Sequence, residues 1–346
     1  MGALTERARV RRNRRELDER FSPDDEPVIE PDLPIVDAHH HLWDRCGDRY
    51  LLDELLQDVN CGHNIRASVY IEADAMHRKH GPEAMRSLGE TEFANGMAAM
   101  SASGLYGDTQ LCAAISTNVD LRLGDGVRPV LEAHKAAAPL RLRGVRHRVA
   151  YEASMDWRPQ SATPGLLNDE EFRKGYACLS EYGFLFEAWI FSTQLDNLIA
   201  LADAFPETTI VLNHVGGLIG VGVHEDRFED VLSEWRQQIV RLAQRPNVIC
   251  KLGGLGMAIT GFDFAARPQK TASTEIAATW KPILDYCIEQ FGVDRCMFES
   301  NFPPDRQTCS YRSLWNIFKL ATQDRTAAER EKLFSGTACR IYQISL

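Results

Sequence analysis

Eight short β-rich runs, each separated from the next by a longer segment, set the tightest limit on how this chain can fold. They are PIVDAHHH (34–41), RASVYIEA (66–73), LCAAIST (111–117), LRGVRHRV (142–149), LFEAWIF (185–191), TIVLNHVG (209–216), NVICKLGG (247–254) and RCMFESNF (295–302). Short apolar runs of this kind read as strands, and the amphipathic segments between them, such as EFRKGYACLSEYG and FEDVLSEWRQQIVRLAQR, read as helices. Thr193 with Asp196 and Thr326 with Glu329 fit the capping-box pattern of helix starts. Eight strand-helix units predict an α/β fold, a single (β/α)8 TIM barrel, with a doubly wound open sheet as the alternative. Residues 1–30 stand outside this rhythm: Arg7, Arg9, Arg11, Arg12, Arg14 and Arg15 precede an acidic, proline-containing stretch. They are expected to form a solvated, charged helical arm, touching a neighbouring subunit if the chain is a homo-oligomer, with 31–346 as the barrel.

Charge narrows the partners. A net charge of −10 and a pI near 5.5 disfavour general attraction to nucleic acid or anionic membrane, which leaves a small-molecule substrate as the natural partner. No apolar run reaches the roughly 18–20 residues that span a bilayer, so the chain reads as cytoplasmic. Nine cysteines without a CxxC pair do not make a disulfide framework and read as small buried residues.

In a parallel barrel the reacting groups gather at the carboxyl ends of the strands, pointing inward. Side chains alternate along a strand, so His39 and His41 share one face and His40 takes the other. An HxH pair places two imidazoles side by side, a spacing suited to two ligands on one metal ion. Alone it is a weak signal. Directly after an aspartate at the end of the first strand it is much stronger. The same alternation puts Tyr70 and Glu72 together on the inner face of the second run, and Arg146 and Arg148 on that of the fourth, with His147 turned to the helices. Glu187 points inward with Trp189 above it, and Glu299 lies one layer below Asn301. Arginine can hold a substrate carboxylate in a planar, bidentate manner. It can equally pair with an internal glutamate.

DAHHHLWD (37–44), NHVG (213–216), FESNFP (298–303) and LFSGTACRIY (333–342) together resemble the amidohydrolase superfamily, within it the amidohydrolase-2 branch of lactonase-like hydrolases and related decarboxylases. The similarity covers residues 34–342. It implies a TIM barrel with a hydrolytic or decarboxylating site at its mouth and often one divalent metal, zinc or manganese, although some lactonases of the branch need none. It also implies that His39 and His41 are the first-strand ligand pair, that His214 positions or protonates the reacting group, and that Arg146 clamps the substrate. Two positions depart from the pattern. Glu187 stands where metal-dependent relatives offer a histidine, and Asn301 stands where the last strand usually ends in an aspartate. An amide cannot serve as a general base near neutral pH.

The aspartate's work is therefore expected to fall to Glu299 or Glu187, with His214 assisting and Glu187 joining His39 and His41 around the metal. The alternative for either glutamate is a buried ion pair with Lys251 or Arg148. Glu72, Tyr70 and Trp189 are expected to line the substrate, and Asn301 to hydrogen-bond to it. The expected reaction opens a lactone, or a related cyclic ester or amide, of a small acidic molecule, with the carbonyl polarised by the metal or by the histidines and Arg146. A metal-dependent non-oxidative decarboxylase is the alternative. A non-catalytic binding barrel is a weaker one, because nothing about folding demands three inward histidines. The glycine-rich runs GGLIGVG and KLGGLG lack phosphate-loop spacing and read as wide loops at the mouth. The stretch from Gly256 to Thr274 is expected to lie over the pocket, with Phe262 and Phe264 as its apolar contacts.

Overall fold

The computed structural model describes residues 12–21, 26–45, 47–155 and 162–346. Eight parallel strands form one sheet in sequential order: β1 (Ile35–His40), β2 (Ile65–Ile71), β3 (Gln110–Thr117), β4 (Leu142–Val145), β5 (Leu185–Ala188), β6 (Ile210–Leu212), β7 (Val248–Leu252) and β8 (Cys296–Phe298). Each is followed by a helix, from Leu52–Val59 after β1 to Tyr311–Ala321 after β8. What separates a barrel from an open sheet is whether the first and last strands meet. Here they do: Asn301 N donates to His39 O and His41 N to Phe302 O, both at 2.8 Å. The fold is a (β/α)8 TIM barrel.

A buried carboxylate reinforces that seam. Asp37 on β1 accepts from Ser300 N at 2.8 Å, Ser300 Oγ at 2.6 Å and Tyr311 Oη at 3.0 Å. Burial pushes its carboxyl up to about 6 although these donors all favour the ionised form. Inside, Val36, Val69, Val211, Ile249 and Met297 fill the lumen, and the C-terminal helix Thr337–Tyr342 closes its floor with Ala338 and Tyr342.

The described part of the arm leaves Arg15 and Glu19 in solvent and packs its other face on the barrel. Helix Arg14–Arg20 buries Leu17, followed by the buried Phe21, and Arg20 donates to Pro268 O at 3.1 Å and Gln269 O at 2.8 Å. Arg12 and Gln307 exchange two hydrogen bonds, at 2.9 and 3.0 Å, and Arg306 pairs with Asp18. The arm thus clasps the 256–274 stretch of its own barrel, whose Phe264 is buried against Trp280. The capping box at Thr326 forms, with Thr326 N donating to Glu329 Oε2 at 2.9 Å. That at Thr193 does not: Thr193 Oγ1 instead donates to Glu152 Oε2 at 3.1 Å, a long-range partner that outcompetes the local one. Among the described residues no helix is long and apolar enough to cross a membrane.

Removing the Asp37 carboxylate strands the three buried donors of Ser300 and Tyr311 and a fourth, His39 N at 3.2 Å. Asp37→Ala is expected to lose about 3–5 kcal/mol of stability in a urea titration, and Asp37→Asn distinctly less because its amide oxygen still accepts.

Candidate functional site

The site side chains reach the barrel mouth through departures from regular alternation as much as through alternation itself. On β1, Val36 and Ala38 face the lumen. A register shift between Asp37 and His40 then carries His39 and His41 to the mouth and sends His40 to the helix layer, where its Nε2 lies 2.9 Å from Ser68 Oγ. After β6, Asn213 follows Val211 inward, so strict alternation would turn His214 outward. Left-handed backbone at His214 (φ 55°) and Val215 (φ 49°) swings the imidazole back in. Gly254 makes room for it, since a Cβ there would stand 2.4 Å from that of His214. Gly253 does the same for Glu299, whose Cγ a Cβ would meet at 2.4 Å.

Glu299 is the buried centre of the cluster. Its Oε1 accepts from His214 Nδ1 at 2.7 Å and from the backbone N–H of the same residue at 2.9 Å. Its Oε2 lies 2.9 Å from His39 Nδ1, outside hydrogen-bond geometry, and has no hydrogen-bond partner. The other ring nitrogen of His39, Nε2, is 3.1 Å from His41 Nε2, while His41 Nδ1 sits 2.8 Å from Ile71 O. Burial first, and then the neighbouring Lys251 ammonium, holds the His39 imidazole well below its usual range. Burial and Arg146 do the same to His41.

Three of these residues could hold a metal ion. His39, His214 and Glu299 each offer one ligand atom, all within 4.8 Å of one another. The unsatisfied Oε2 of Glu299 is the kind of buried lone pair a cation would complete, so the donor set fits a divalent ion. This differs from the expected set of His39, His41 and Glu187. His41 stands outside the group. Glu187 lies deeper, where Lys251 Nζ (2.9 Å), Asn213 Nδ2 (2.6 Å), Ser116 Oγ (3.2 Å) and Tyr342 Oη (2.5 Å) all donate to it. Its oxygens are already engaged, and the buried ion pair with Lys251 is its structural role.

Across the mouth, Glu72 holds two guanidinium groups. Arg146 Nε donates to its Oε1 at 2.6 Å, and Arg148 donates through Nε at 3.0 Å and Nη2 at 3.1 Å. Burial raises the Glu72 carboxyl, but the two cations outweigh that and hold it well below the usual carboxylate range. Arg146 Nη1 is left facing His39 Nε2 at 3.4 Å. Half-buried Trp189 sets its ring edge-on to His214, with centroids 4.8 Å apart. Tyr70 is a correction: Val69 and Ile71 take the lumen positions of β2, so Tyr70 faces the helix layer and donates to Glu90 at 2.8 Å. Glu72 turns inward because β2 has already ended at Ile71.

Asn301 donates through Nδ2 to Asp305 Oδ1 at 2.6 Å, which fixes its amide oxygen as the other, acceptor end. Asp305, which also accepts from Gly256 N at 2.9 Å, is buried, and burial pushes its carboxyl well up. Sequence reasoning passed over Asp305; its spacing of four from Asn301 was the available signal. Lys251 had been weighed only as a structural partner. Its Nζ also lies 3.3 Å from His39 Nδ1, a contact across the intervening last strand that spacing does not encode.

Comparison with known proteins adds the following. The family model described as Amidohydrolase matches residues 36–344. An uncharacterised protein of Sinorhizobium fredii is 28% identical over 342 residues, covering 90% of this chain and 99% of that one. A Burkholderia multivorans protein named L-fucono-1,5-lactonase is 27% identical over 318 residues, covering 89% and 96%. A crystal structure of a Burkholderia multivorans amidohydrolase with bound zinc superposes with a TM-score of 0.68 at 25% identity, covering 90% of this chain and 99% of that one.

Glu72→Ala would take from Arg146 its carboxylate partner and leave Arg148 with Asp74, 3.7 Å away. The variant is expected to lose about 3–5 kcal/mol in denaturant unfolding, whereas Arg148→Ala, which removes the more exposed partner and leaves Glu72 paired with Arg146, should cost clearly less.

Proposed function

This chain belongs to the amidohydrolase family, and from that premise we propose that it is a lactonase, opening the ring of a lactone of a small hydroxy acid by attack of water at the barrel mouth. The observation that carries the reading is the Glu299–His214 pair. A carboxylate that accepts the Nδ1 proton fixes the tautomer of the ring, so Nε2 is the lone pair available for proton transfer. In this role Glu299 orients the base instead of acting as one, because it is fully buried beneath two imidazoles.

The proposed steps balance on this chain's own groups. His214 Nε2 removes a proton from water as the water oxygen bonds to the lactone carbonyl carbon. Arg146 Nη1 faces the developing oxyanion. The tetrahedral species collapses by breaking the ring C–O bond, and the leaving alkoxide takes the proton back from His214, giving a hydroxy acid. Asn301 accepts a hydrogen bond from a substrate hydroxyl or from water, and Trp189 covers the ring. A divalent ion such as zinc or manganese, held by His39, His214 and Glu299, would occupy the lone pair of His214 and would then polarise the carbonyl and acidify the attacking water in place of the imidazole base.

Glu72 bears on substrate class. It occupies the Nε and Nη2 edges of both arginines, the edges that grip carboxylates in bidentate fashion. A neutral, hydroxylated lactone therefore suits the mouth better than a substrate that already carries a carboxylate. Relatives named L-fucono-1,5-lactonase support the same class. Non-oxidative decarboxylation is the second reading, favoured by Asn301, because carbon dioxide loss needs a proton donor and no hydrolytic base.

The deciding assay follows acid release from a panel of sugar 1,4- and 1,5-lactones beside carbon dioxide release from hydroxybenzoates. Ring opening is expected. Carbon dioxide release without it would move the assignment to the decarboxylase, and neither activity together with tight lactone binding would move it to a binding protein. His214→Gln is expected to lower kcat by about 10²–10⁴-fold, with a far smaller change in KM.

A further inference from the structure

We propose that Lys251 is a positioning residue, the resident cation of this site: its ammonium fixes His39 as the Nε2–H tautomer and competes with a divalent ion for the place beside His39, His214 and Glu299. A carbonyl only accepts, so His41 Nδ1, 2.8 Å from Ile71 O, carries a hydrogen, and the Nε2 of neutral His41 is a lone pair. An ammonium only donates, so His39 Nδ1, 3.3 Å from Lys251 Nζ, is also a lone pair. The hydrogen of His39 then sits on Nε2 and points at His41 Nε2 across 3.1 Å. Lys251, His39, His41 and the Ile71 carbonyl form a chain in which every donor meets an acceptor. With Lys251 on one side and Arg146 on the other, an additional positive charge on either imidazole is unfavourable.

Glu299 gives independent support. Its Oε2 lies 2.9 Å from His39 Nδ1 but outside hydrogen-bond geometry, so the in-plane direction of Nδ1 is taken by Lys251 and not by the carboxylate. The one opposing contact, Arg146 Nη1 to His39 Nε2, is the longest of the set at 3.4 Å. Two buried acceptors, Nδ1 and Oε2, thus lie side by side next to a buried ammonium. That is the setting of a metal site with a protein cation standing at its edge. Lys251 is anchored there by Glu187 at 2.9 Å and by the ring of Tyr342, 5.3 Å away.

The inference deepens the lactonase reading and rests on it only for its consequence in turnover, so both readouts are made without substrate. The first is the nitrogen NMR spectrum of the wild-type protein carrying isotope-labelled histidine, with His39 assigned through His39→Gln. The second is zinc affinity, measured by chelator competition, in wild type, Lys251→Met, Glu187→Gln and the double variant, which removes both members of the ion pair and leaves no orphaned charge. The Nε2–H tautomer of His39 is expected, together with zinc binding at least about tenfold tighter in both variants that lack the ammonium. Glu187→Gln alone should bind zinc no tighter than wild type. An Nδ1–H tautomer in the wild type overturns the proposal, as does zinc affinity unchanged by loss of the ammonium. If neither Lys251 variant folds, the wild-type spectrum decides by itself. Absence of lactone turnover with the expected tautomer would sink the lactonase reading and leave this one standing.

Discussion

Asp37 and Ser300 face each other across the seam between the first and last strands, and the rest of the site depends on that contact. His39 and Glu299, which begin at opposite ends of the sheet, come within 2.9 Å only because the sheet closes there. Closure also fixes the depth of each residue. Backbone bonds from Asn301 to His39 and from His41 to Phe302 set the register, so the imidazoles sit above Glu299 and beside Asn301. A buried carboxylate is a costly fastener unless its oxygens are satisfied, and Asp37 has donors from Ser300, from the Tyr311 hydroxyl and from the His39 backbone.

Charge in the lumen is arranged in paired layers. Glu187 and Lys251 neutralise each other, and Tyr342 from the C-terminal helix donates to the same glutamate from below. Above them lie Glu299 and the imidazoles. At the rim Glu72 holds Arg146 and Arg148. Removing either member of such a pair leaves the other unsolvated, so the site resists single changes more through electrostatics than through packing. The arm is bound to the 256–274 stretch and to Gln307, two residues beyond Asp305. The terminal segment thereby supports the turn that orients Asn301.

Much of this was legible in the chain. Eight β-rich runs gave the barrel because a strand needs only a few residues of the right pattern to declare itself, and eight such units have few ways to bury their faces. Arg146, Glu187 and Glu299 followed from alternation, a local property with period two. The misreadings have two causes. Tyr70 and Glu72 were placed on one face by extending alternation past the end of the strand. For Glu187 the ligand role and the Lys251 ion pair were both open, and its other partners, Asn213 and Tyr342, are each more than twenty residues away. The Thr193 cap lost to Glu152 for the same reason.

His214 shows the division most clearly. The sequence by itself determined that a histidine follows the sixth strand, that glycines surround it, and that eight strand-helix units would form an α/β fold, a barrel or an open sheet, with its chemistry at the carboxyl ends. It also determined that Asn301 cannot take a proton, since that follows from the amide group alone. Only the tertiary structure decided that His214 turns inward on left-handed backbone, that Gly254 leaves it room, and that Glu299 receives its proton-bearing nitrogen. The reason is physical. Pattern and group chemistry act over a few residues along the chain, whereas the tautomer, charge and aim of a buried side chain are set by whichever groups the closed barrel brings within about 3 Å of it.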